Sequence, residues 1–385
     1  NISGTGVHTI NLASVLPTIN QALIIDGLSQ PGYANTPVVQ IDGAAAGFSG
    51  LVIGAGGGNS TIQGLMITGF TVDGINVASG ADNVTIADNW IGTAGTGTTG
   101  YGTSGVGNTN DGIDIASSNA MILRNVISNN HDEGINIAGS DVTGHLIQGN
   151  YIGLDPDGAS GAGNNDVGIA IISGTGNTIG GTTLAERNVI SKNWEGMEIN
   201  TSSNIVQGNY IGTDVTGTLD RGNRIGDGIQ IQGNSTNNLI GGTLEGDGNL
   251  IAYNAGDGVS VVNGSDHTIL GNSIHSNSGL GIDLGTTGVT PNDLPANMDS
   301  DSGANNLQNY PLLSTATATA TQVTISGTLN SVANSYFRIE FYANVSADGL
   351  GNGEGQTYLG FANVATNGSG NTTINEVLTA SVTEG

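Results

Sequence analysis

The chain contains no cysteine, only six lysine and arginine residues together, and few aromatic side chains, which make up 4% of its 385 residues. Without cysteine, neither disulfide bonds nor cysteine-based metal sites stabilise the fold. Against the six basic residues stand 32 acidic ones, so the net charge is −26. Because basic surfaces are what bind phosphate groups, this balance argues against nucleic acid and anionic membranes as partners.

Long apolar runs and helical periodicity are also missing. No stretch of about 18 consecutive apolar residues occurs, so we expect no membrane insertion. Hydrophobic residues still make up 36% of the chain, which predicts a folded protein. A start at Asn1 without a charged and apolar leader is typical of a processed product or an excised segment. We expect a secreted protein, extracellular or attached to a cell surface, and the lack of cysteine agrees with secretion in bacteria.

Internal repetition is the strongest signal in the sequence. A glycine followed by two apolar residues, with one mostly polar residue between them, occurs at Gly50, Gly74, Gly112, Gly134, Gly168, Gly196, Gly228, Gly258 and Gly281. Since residues i and i+2 of a strand share a face, each copy predicts a short strand whose apolar residues point inward. The shortest interval, from Gly112 to Gly134, is 22 residues. Several strands per repeat of this length predict a solenoid whose successive coils pair in parallel.

Three related segments, DNWIGTAGTGT, GNYIGLDPDGA and GNYIGTDVTGT, mark a larger repeat. Successive copies start 61 and 59 residues apart, which is the length of two coils. Extra residues follow each copy, at 93–110, 154–166 and 213–226. We therefore expect plain and looped coils to alternate and the three loops to project from the same side.

Asparagine recurs before an apolar pair at one place in the coils. These residues are Asn89, Asn125, Asn150, Asn188, Asn209 and Asn249, with Asn272 as a looser member. Asparagine tolerates the backbone of tight turns, and equivalent asparagines in stacked coils can hydrogen-bond to one another. We interpret the series as a structural ladder, with contacts to a ligand as the alternative.

The repeats resemble the right-handed parallel β-helix repeats of the pectin-lyase-like superfamily, and more closely the repeat regions of large bacterial secreted or surface proteins. The resemblance covers about residues 1–310. It includes ISGTGVHTI, IDGLSQPGY and IDGAAAG near the start and NNLQNYPLL near residue 310. It implies an all-β fold with a right-handed parallel β-helix, but it leaves the chemistry open because this fold carries lyases, hydrolases, adhesins and stalks.

The pattern changes after the repeats. Residues 311–385 contain TQVTISGTLNS, SYFRIEFYANV, QTYLGFANVAT and TTINEVLTASV, four alternating segments separated by turn residues. We predict a small, immunoglobulin-like β-sandwich there. The predicted domains are thus a parallel β-helix at 1–288, a linker or exit from the last coil at 289–310, and the sandwich at 311–385.

Acidic residues recur next to the repeat glycines. Those directly before a glycine are Asp73, Asp111, Glu133, Glu195, Asp227 and Asp257, and those two positions after one include Asp114, Glu198 and Asp283. Parallel coils bring such residues to about 4.8 Å, where like charges repel unless a cation binds or pKa values rise. Carboxylate oxygens suit Ca²⁺, which is the one candidate cofactor. The predicted metal ligands are Asp111, Glu133, Glu195, Asp227 and Asp257, together with Asp155 and Asp157 of a DPDG calcium-loop fragment, and solvated turn acids are the alternative.

A polysaccharide-cleaving enzyme is one functional class that the resemblance implies. Hydrolysis needs two carboxylates that face a sugar, and the best candidates are Glu195, Glu198 and Asp227. Trp194 beside them could stack on a sugar ring, and His131 is a second candidate for ligand binding. Against a lyase stand the scarcity of basic residues and the absence of the GHG and RxK signatures that polygalacturonases of this superfamily carry.

The main prediction is therefore an extracellular structural or adhesive β-helix of a bacterial surface or matrix, with a polysaccharide-binding or polysaccharide-cleaving enzyme as the alternative. The ends of the chain also predict self-association. The sandwich resembles domains that continue through one more strand, whereas this chain stops at Gly385. The alternating NISGTGVHTI could supply that strand from another copy and so form strings, with a monomer as the alternative.

Overall fold

The structure is a computed structural model that describes residues 2–43, 47–95, 106–140, 142–347, 349, 351–380 and 382. Three long parallel sheets, named A, B and C, form a β-helix, and two short antiparallel sheets follow it. Each regular coil passes from sheet B to sheet C to sheet A, as in Ile113–Ile115, Met121–Leu123 and Val126–Ile127. Parallel connections of this kind are right-handed, so the predicted all-β fold with a right-handed parallel β-helix is confirmed.

The strands of the β-helix are short and stack in parallel. Sheet A consists of His8–Asn11, Val39–Asp42, Leu65–Thr68, Trp90–Ile91, Val126–Ile127, Tyr151–Ile152, Val189–Ile190, Tyr210–Ile211, Leu250–Ala252 and Ser273–His275. Sheet B consists of Leu51–Ile53, Ile75–Val77, Ile113–Ile115, Ile135–Ile137, Val167–Ile171, Glu195–Ile199, Ile229–Ile231, Val259–Val261 and Ile282–Leu284. Sheet C consists of Ile24–Asp26, Thr61–Gln63, Thr85–Ala87, Met121–Leu123, Leu146–Gln148, Thr178–Gly180, Ile205–Gln207, Leu239–Gly241 and Thr268–Leu270. The 3₁₀ helices of the described residues are Ala55–Gly57 and Ala304–Leu307.

Isoleucine and valine fill the interior because like residues stack on like. In sheet B, Ile135 lies between Ile113 and Ile169, and all three side chains are completely buried. The glycine before each of these strands is required by the close approach of the next coil. A Cβ atom at Gly112 would lie 2.6 Å from the carbonyl oxygen of Gly134, which is closer than van der Waals contact allows.

The predicted asparagine ladder is confirmed at the corner between sheets C and A. The Oδ1 atom of Asn125 accepts hydrogen bonds from the backbone N–H (3.0 Å) and the Nδ2 group (3.1 Å) of Asn89. The Nδ2 group of Asn125 in turn donates to the carbonyl oxygen of Ile86, at 2.8 Å. The same links continue through Asn150, Asn188, Asn209, Asn249 and Asn272. The ladder thus pairs polar groups that are buried in each turn.

Two further ladders, which were not predicted from the sequence, occupy the other corners. The ladder before sheet B consists of Asn108, Asn130, Asn164, Asn193, Asn223, Asn254 and Asn277. The ladder before sheet C consists of His145, Asn177, Asn204, Asn238 and His267. In this third ladder the Nδ1 atom of His145 accepts the backbone N–H of Ala120, as an asparagine Oδ1 would. Burial lowers the pKa of His145 to about 4, which keeps the imidazole neutral and able to accept.

The ladders run in one direction, and two of them end on residues beyond the last coil. Each member donates its backbone N–H toward the C-terminal end, so the last member needs an acceptor from outside the β-helix. The Oε1 atom of Glu354 accepts the N–H of Asn277 at 3.1 Å. The Oδ1 atom of Asn305 accepts the N–H of His267 at 2.8 Å. The segments after the last coil therefore cap the helix.

The C-terminal region forms two antiparallel sheets that share one buried core. One sheet contains Leu312–Ala318, Val323–Asn330 and Asn371–Leu378, and the other contains Tyr336–Ala343 and Thr357–Ala365. Ile325 and Ile374 of the first sheet pack in the same cluster as Ile339 and Phe341 of the second. The predicted small sandwich is confirmed, while the domain boundaries at 288 and 311 remain a prediction.

The loops follow the predicted arrangement in the described residues, since each one connects sheet A to sheet B. Thr93 donates a hydrogen bond to Asp155 (3.3 Å), which joins the first loop to the second. The backbone N–H of Val215 donates to the carbonyl oxygen of Gly158 (2.9 Å), which joins the second loop to the third. Residues 96–105 of the first loop lie outside the described residues.

The strand predicted to be donated to another copy is used within the chain. His8–Asn11 pairs in parallel with Val39–Asp42 and forms the first rung of sheet A. Residues 2–7 precede this rung outside any strand, and Gly385 lies outside the described residues. End-to-end association therefore has no free His8–Asn11 strand to use, and it stays a prediction.

Replacing Asn209 with alanine should destabilise the β-helix. Asn209 is completely buried, accepts from Asn188 and donates to the carbonyl oxygen of Ile179 at 2.9 Å, so the substitution leaves backbone groups unpaired. We expect the free energy of unfolding to fall by about 1 to 3 kcal/mol in denaturant titrations. Asn297→Ala, at an exposed position, is the control. Unchanged stability in both Asn209→Ala and Asn150→Ala would contradict the structural role.

Candidate functional site

The outer face of sheet B and the turn that leads into it carry a band of carboxyl groups, which we call the acidic face. Its members are Asp73, Asp111, Asp114, Asp132, Glu133, Asp166, Glu195, Glu198, Asp227, Asp257 and Asp283. The strand register places Asp114 between Asn76 and Asn136 of the neighbouring coils. The turns that precede these strands also stack on one another. For example, the backbone N–H of Asp166 donates to the carbonyl oxygen of Asp132 in the preceding coil.

One coil interrupts the acidic face. Val167 stands where other coils have an acidic residue, and Ala170 stands at the outward position two residues after the glycine. Both are buried, and we call this the bare coil. It separates an N-terminal cluster of five carboxyl groups from a C-terminal cluster of five, with Asp166 between them. The bare coil therefore lacks the acidic residue that directly precedes the glycine in the two neighbouring coils.

Amide side chains bridge the carboxylates of the N-terminal cluster. The Nδ2 group of Asn76 donates to Asp114 (2.8 Å) and to Asp73 (3.1 Å). Asn110 donates to the other oxygen of Asp73 at 2.6 Å. Burial and the charges of Asp73 and Glu133 nevertheless raise the pKa of Asp114 to about 6. The amides reduce the repulsion between carboxylates without removing it.

Asp111, Asp132 and Glu133 bring carboxylate oxygens within 4.8 Å of one another. Burial, then a hydrogen bond with Glu133 and its charge, raise the pKa of Asp111 to about 9. Burial and Glu133 also raise the pKa of Asp132, and the charge of His131 opposes that rise. His131 itself is exposed next to the cluster. At neutral pH this trio therefore retains a proton or requires a cation.

The C-terminal cluster brings together the residues predicted to act on a polysaccharide. Glu195 is 9% exposed, and its buried Oε1 atom accepts no hydrogen bond from the described residues. Burial, followed by the charges of Asp227, Glu198 and Asp166, raises the pKa of Glu195 to about 8. The Glu195 carboxyl group is therefore mostly protonated at neutral pH.

Glu198 lies on the same strand as Glu195 but has a different environment. Its Oε1 atom accepts hydrogen bonds from Asn200 (2.7 Å) and Gln232 (2.6 Å). Trp194 precedes Glu195 and is 44% exposed, and its backbone N–H donates to the backbone carbonyl oxygen of Asp166. An aromatic ring, a buried carboxyl group and an oriented carboxylate thus lie within five residues of the chain.

The remaining acids of the C-terminal cluster bind backbone groups. Asp227 accepts the N–H of Asp257 at 2.7 Å, and Asp257 accepts the N–H of Leu280 at 2.5 Å. Burial raises the pKa of Asp227, and burial with the charges of Asp227 and Asp283 raises the pKa of Asp257 to about 6. The Oδ1 atom of Asp283 is buried and, like that of Glu195, accepts no hydrogen bond from the described residues.

Asp155 and Asp157, predicted as calcium ligands, serve their own loop. Asp157 accepts the backbone N–H groups of Ala159 (2.9 Å) and Ser160 (2.8 Å). The hydroxyl group of Ser160 donates to both carboxylates. Neither aspartate belongs to a group of three possible metal ligands among the described residues. Their role as metal ligands remains a prediction.

Two acidic positions of the face, Asp132 and Asp166, were not among the predicted site residues. Each lies two residues before a repeat glycine, a position where the other coils carry no acidic residue, so no repeated letter marks them in the sequence. A second carboxylate group outside the acidic face, formed by Asp293, Asp299 and Asp301, was also missed. Alignment of the coils on their glycines would have placed Asp132 and Asp166 in one column.

Comparison with solved structures finds similar β-helices. A point mutant of the periplasmic alginate epimerase AlgG is 17% identical with a TM-score of 0.36, and the match covers 64% of this chain and 63% of that one, less than two thirds of its length. The A-module of the Azotobacter vinelandii mannuronan C-5 epimerase AlgE4 is 15% identical with a TM-score of 0.39, over 72% of this chain and 80% of that one. The Dettilon tailspike protein is 14% identical with a TM-score of 0.29, over 97% of this chain and 86% of that one. No protein-family model and no curated protein matches the chain.

These matches correct the main functional prediction. A structural or adhesive role is wrong as the main interpretation, since the similar structures include two polysaccharide epimerases and a tailspike protein. At such identities and TM-scores the likeness concerns the coil architecture, so no site residue, substrate or mechanism is transferred to this chain. In the described part of the chain, no helix combines the length and the hydrophobicity of a membrane span.

Proposed function

We propose that the acidic face binds a polysaccharide and hydrolyses it at Glu195 and Glu198. The observation that carries the proposal is the combination found beside the bare coil. An exposed tryptophan, Trp194, adjoins a buried carboxyl group without a hydrogen-bond partner and a carboxylate that two amides orient. Two carboxyl groups in contrasting environments are what acid-assisted cleavage of a glycosidic bond requires.

Trp194 and the bare coil would position the sugar. Val167 and Ala170 are apolar, so Asp166 is the acidic group that remains at the bare coil. The exposed ring of Trp194 presents an apolar surface against which the apolar side of a pyranose packs. A glycan that runs along the stack would meet a new coil about every 4.8 Å, so neighbouring coils would contact successive sugars.

The two glutamates would divide the chemistry. Glu195, protonated at neutral pH, would donate its proton to the glycosidic oxygen as the bond to the leaving sugar breaks. Glu198, held by Asn200 and Gln232, would act as the carboxylate that attacks the anomeric carbon or activates a water molecule. The charge of Asp227 helps to keep the proton on Glu195.

A polysaccharide substrate would place the protein outside the cytoplasm. Cell walls, capsules and extracellular matrices present such polymers, and a cysteine-free chain folds there without disulfide bonds. We therefore propose an extracellular or cell-surface location.

We also propose a Ca²⁺ site at Asp111, Asp132 and Glu133. Oxygen atoms within 4.8 Å of one another are able to bind one cation at Ca²⁺–oxygen distances of about 2.3 to 2.6 Å. The Nδ2 group of Asn136 already donates to Asp111 at 3.4 Å and holds this side of the site in place. The ion would remove the repulsion that raises the pKa of Asp111.

Substitution of the two glutamates should abolish hydrolysis. We expect Glu195→Gln and Glu198→Gln each to lower the rate of release of reducing ends from the substrate polysaccharide by about 100-fold or more. Glu245→Gln, an exposed glutamate outside the face, is the matched control. If no member of a panel of neutral, acidic and amine-bearing polysaccharides yields reducing ends with the unmodified protein, the hydrolytic role is wrong.

The pH dependence of hydrolysis should follow the proton on Glu195. Because its pKa is raised to about 8, the acid form is present below that pH and is lost as the pH rises through it. We expect kcat/KM to fall on the alkaline side with an apparent pKa near 8. An alkaline limb centred below pH 6 would contradict the role of Glu195 as the acid.

Calcium should stabilise the β-helix. At a hundred times its dissociation constant, a bound ion adds about 2.7 kcal/mol to the free energy of unfolding. We expect a higher melting temperature in millimolar Ca²⁺ than in EDTA, and no difference in Asp111→Asn. Equal melting temperatures of the unmodified protein in Ca²⁺ and EDTA would rule the site out.

A further inference from the structure

No lysine or arginine of the described residues forms an ion pair with the acidic face, although the charge of His131 acts on Asp132. The ion pairs in the described part of the chain, Arg124 with Asp88 and Arg338 with Glu340, both lie away from the face. The chain has six lysine and arginine residues in all, so its own side chains supply little positive charge to a band of eleven carboxyl groups. Positive charge must therefore come from protons, from metal ions or from a ligand.

Two buried oxygens of the face indicate what such a ligand supplies. The Oε1 atom of Glu195 and the Oδ1 atom of Asp283 accept no hydrogen bond from the described residues, although these residues are only 9% and 4% exposed. A buried acceptor without a donor is unfavourable, and a ligand that brings N–H groups would satisfy it. An ammonium group carries three donors and one positive charge.

A bare metal ion fits Glu195 less well than a charged amine. A metal ion needs several protein ligands around it, and among the described residues Glu195 belongs to no group of three possible ligands. Trp194, the preceding residue, instead provides an exposed aromatic ring. Rings of this kind attract both the apolar side of a sugar and an organic cation.

We propose that the polymer bound on the acidic face is an amino-sugar polysaccharide whose amines are free and protonated. This inference rests on the proposed function and narrows its substrate. The stacked coils offer carboxyl groups at intervals of about 4.8 Å, close to the length of one pyranose in an extended glycan. Successive ammonium groups would pair with successive carboxylates, while Trp194 packs against a ring at the bare coil. A polyuronate would meet like charge along the whole face and bind weakly.

Calorimetric titration with defined oligosaccharides tests the inference. The ligands are a β-1,4-linked glucosamine hexamer, its fully N-acetylated counterpart and an oligomer of mannuronate, at a pH where the free amines are protonated. We expect the glucosamine hexamer to bind at least tenfold more tightly than the acetylated one, and the mannuronate oligomer to show no binding. Equal affinity for the two hexamers, or tighter binding of the acetylated one or of mannuronate, would overturn the inference.

Charge alone must be separated from recognition of an amino sugar. Hexalysine carries the same number of side-chain ammonium groups without a sugar ring, so Trp194→Ala should weaken glucosamine hexamer binding about tenfold and leave hexalysine binding unchanged. Asp114→Asn and Glu198→Gln should weaken the binding of both ligands. Asp266→Asn, which removes one exposed charge away from the face, should not. Equal loss of both ligands in Trp194→Ala, or a loss in Asp266→Asn as large as in Asp114→Asn, would contradict the inference.

The inference and the proposed function fail in different ways. Hydrolysis of an acetylated or otherwise uncharged polysaccharide that depends on Glu195, without preference for free amines, would uphold the hydrolase and overturn the amino-sugar substrate. Tight, Trp194-dependent binding of the glucosamine hexamer without release of reducing ends would uphold the ligand class and overturn the hydrolytic role.

Discussion

In-register stacking of coils at about 4.8 Å is the constraint on which the whole molecule depends. Every residue of a coil lies next to its equivalents in the coils above and below. The interaction between two identical side chains, favourable or unfavourable, is therefore repeated along the whole stack. Isoleucine gains contacts and asparagine gains hydrogen bonds, and these two residues accordingly form the interior and the corners. Carboxylates repel their copies, so a column of them is kept only with amide bridges, retained protons or bound cations.

The contrast between asparagine and aspartate explains why the corners satisfy their own hydrogen bonds and the acidic face does not. An asparagine both donates and accepts, and a column of identical asparagines therefore satisfies itself. An ionised carboxylate only accepts, and its column needs donors from elsewhere. Asn76 and Asn136 supply some of them to Asp114, whereas Glu195 and Asp283 are left with buried oxygens that no described residue satisfies. The face is thus prepared for an external donor in a way that the corners are not.

Most of the fold could be predicted from the sequence, because stacking favours the same residue type at the same position in successive coils. The glycine before each sheet B strand and the asparagine of the first ladder are visible for that reason. The ladder through Asn108 and Asn277 escaped prediction, since loops of unequal length precede its members and hide the period. In the third ladder, His145 stands at an asparagine position and accepts the same kind of hydrogen bond. The substitution interrupts the repeat of asparagine in the sequence, so the ladder was not recognised.

The candidate site was predictable as residues and not as a function. Glu195, Glu198 and Trp194 lie next to one another in the sequence, so their proximity followed directly. The bare coil that pairs with Glu195 and the Gln232 amide that binds Glu198 come from neighbouring coils, 28 and 34 residues away in the chain. These contacts distinguish a carboxyl group that keeps its proton from a solvated one. They cannot be predicted from the residues that adjoin Glu195 and Glu198 in the sequence. The structural or adhesive role was favoured from the sequence because that difference was invisible there.

The direction of the ladders also limits how such a molecule changes its length in evolution. Because every coil accepts from the coil before it and donates to the coil after it, a duplicated pair of coils fits into the middle of the stack without creating a new kind of contact. The C-terminal end does not have this freedom, since Glu354 and Asn305 satisfy donors that only the last coil presents. Gain or loss of whole two-coil units between fixed ends would lengthen or shorten the acidic face in steps of two coils.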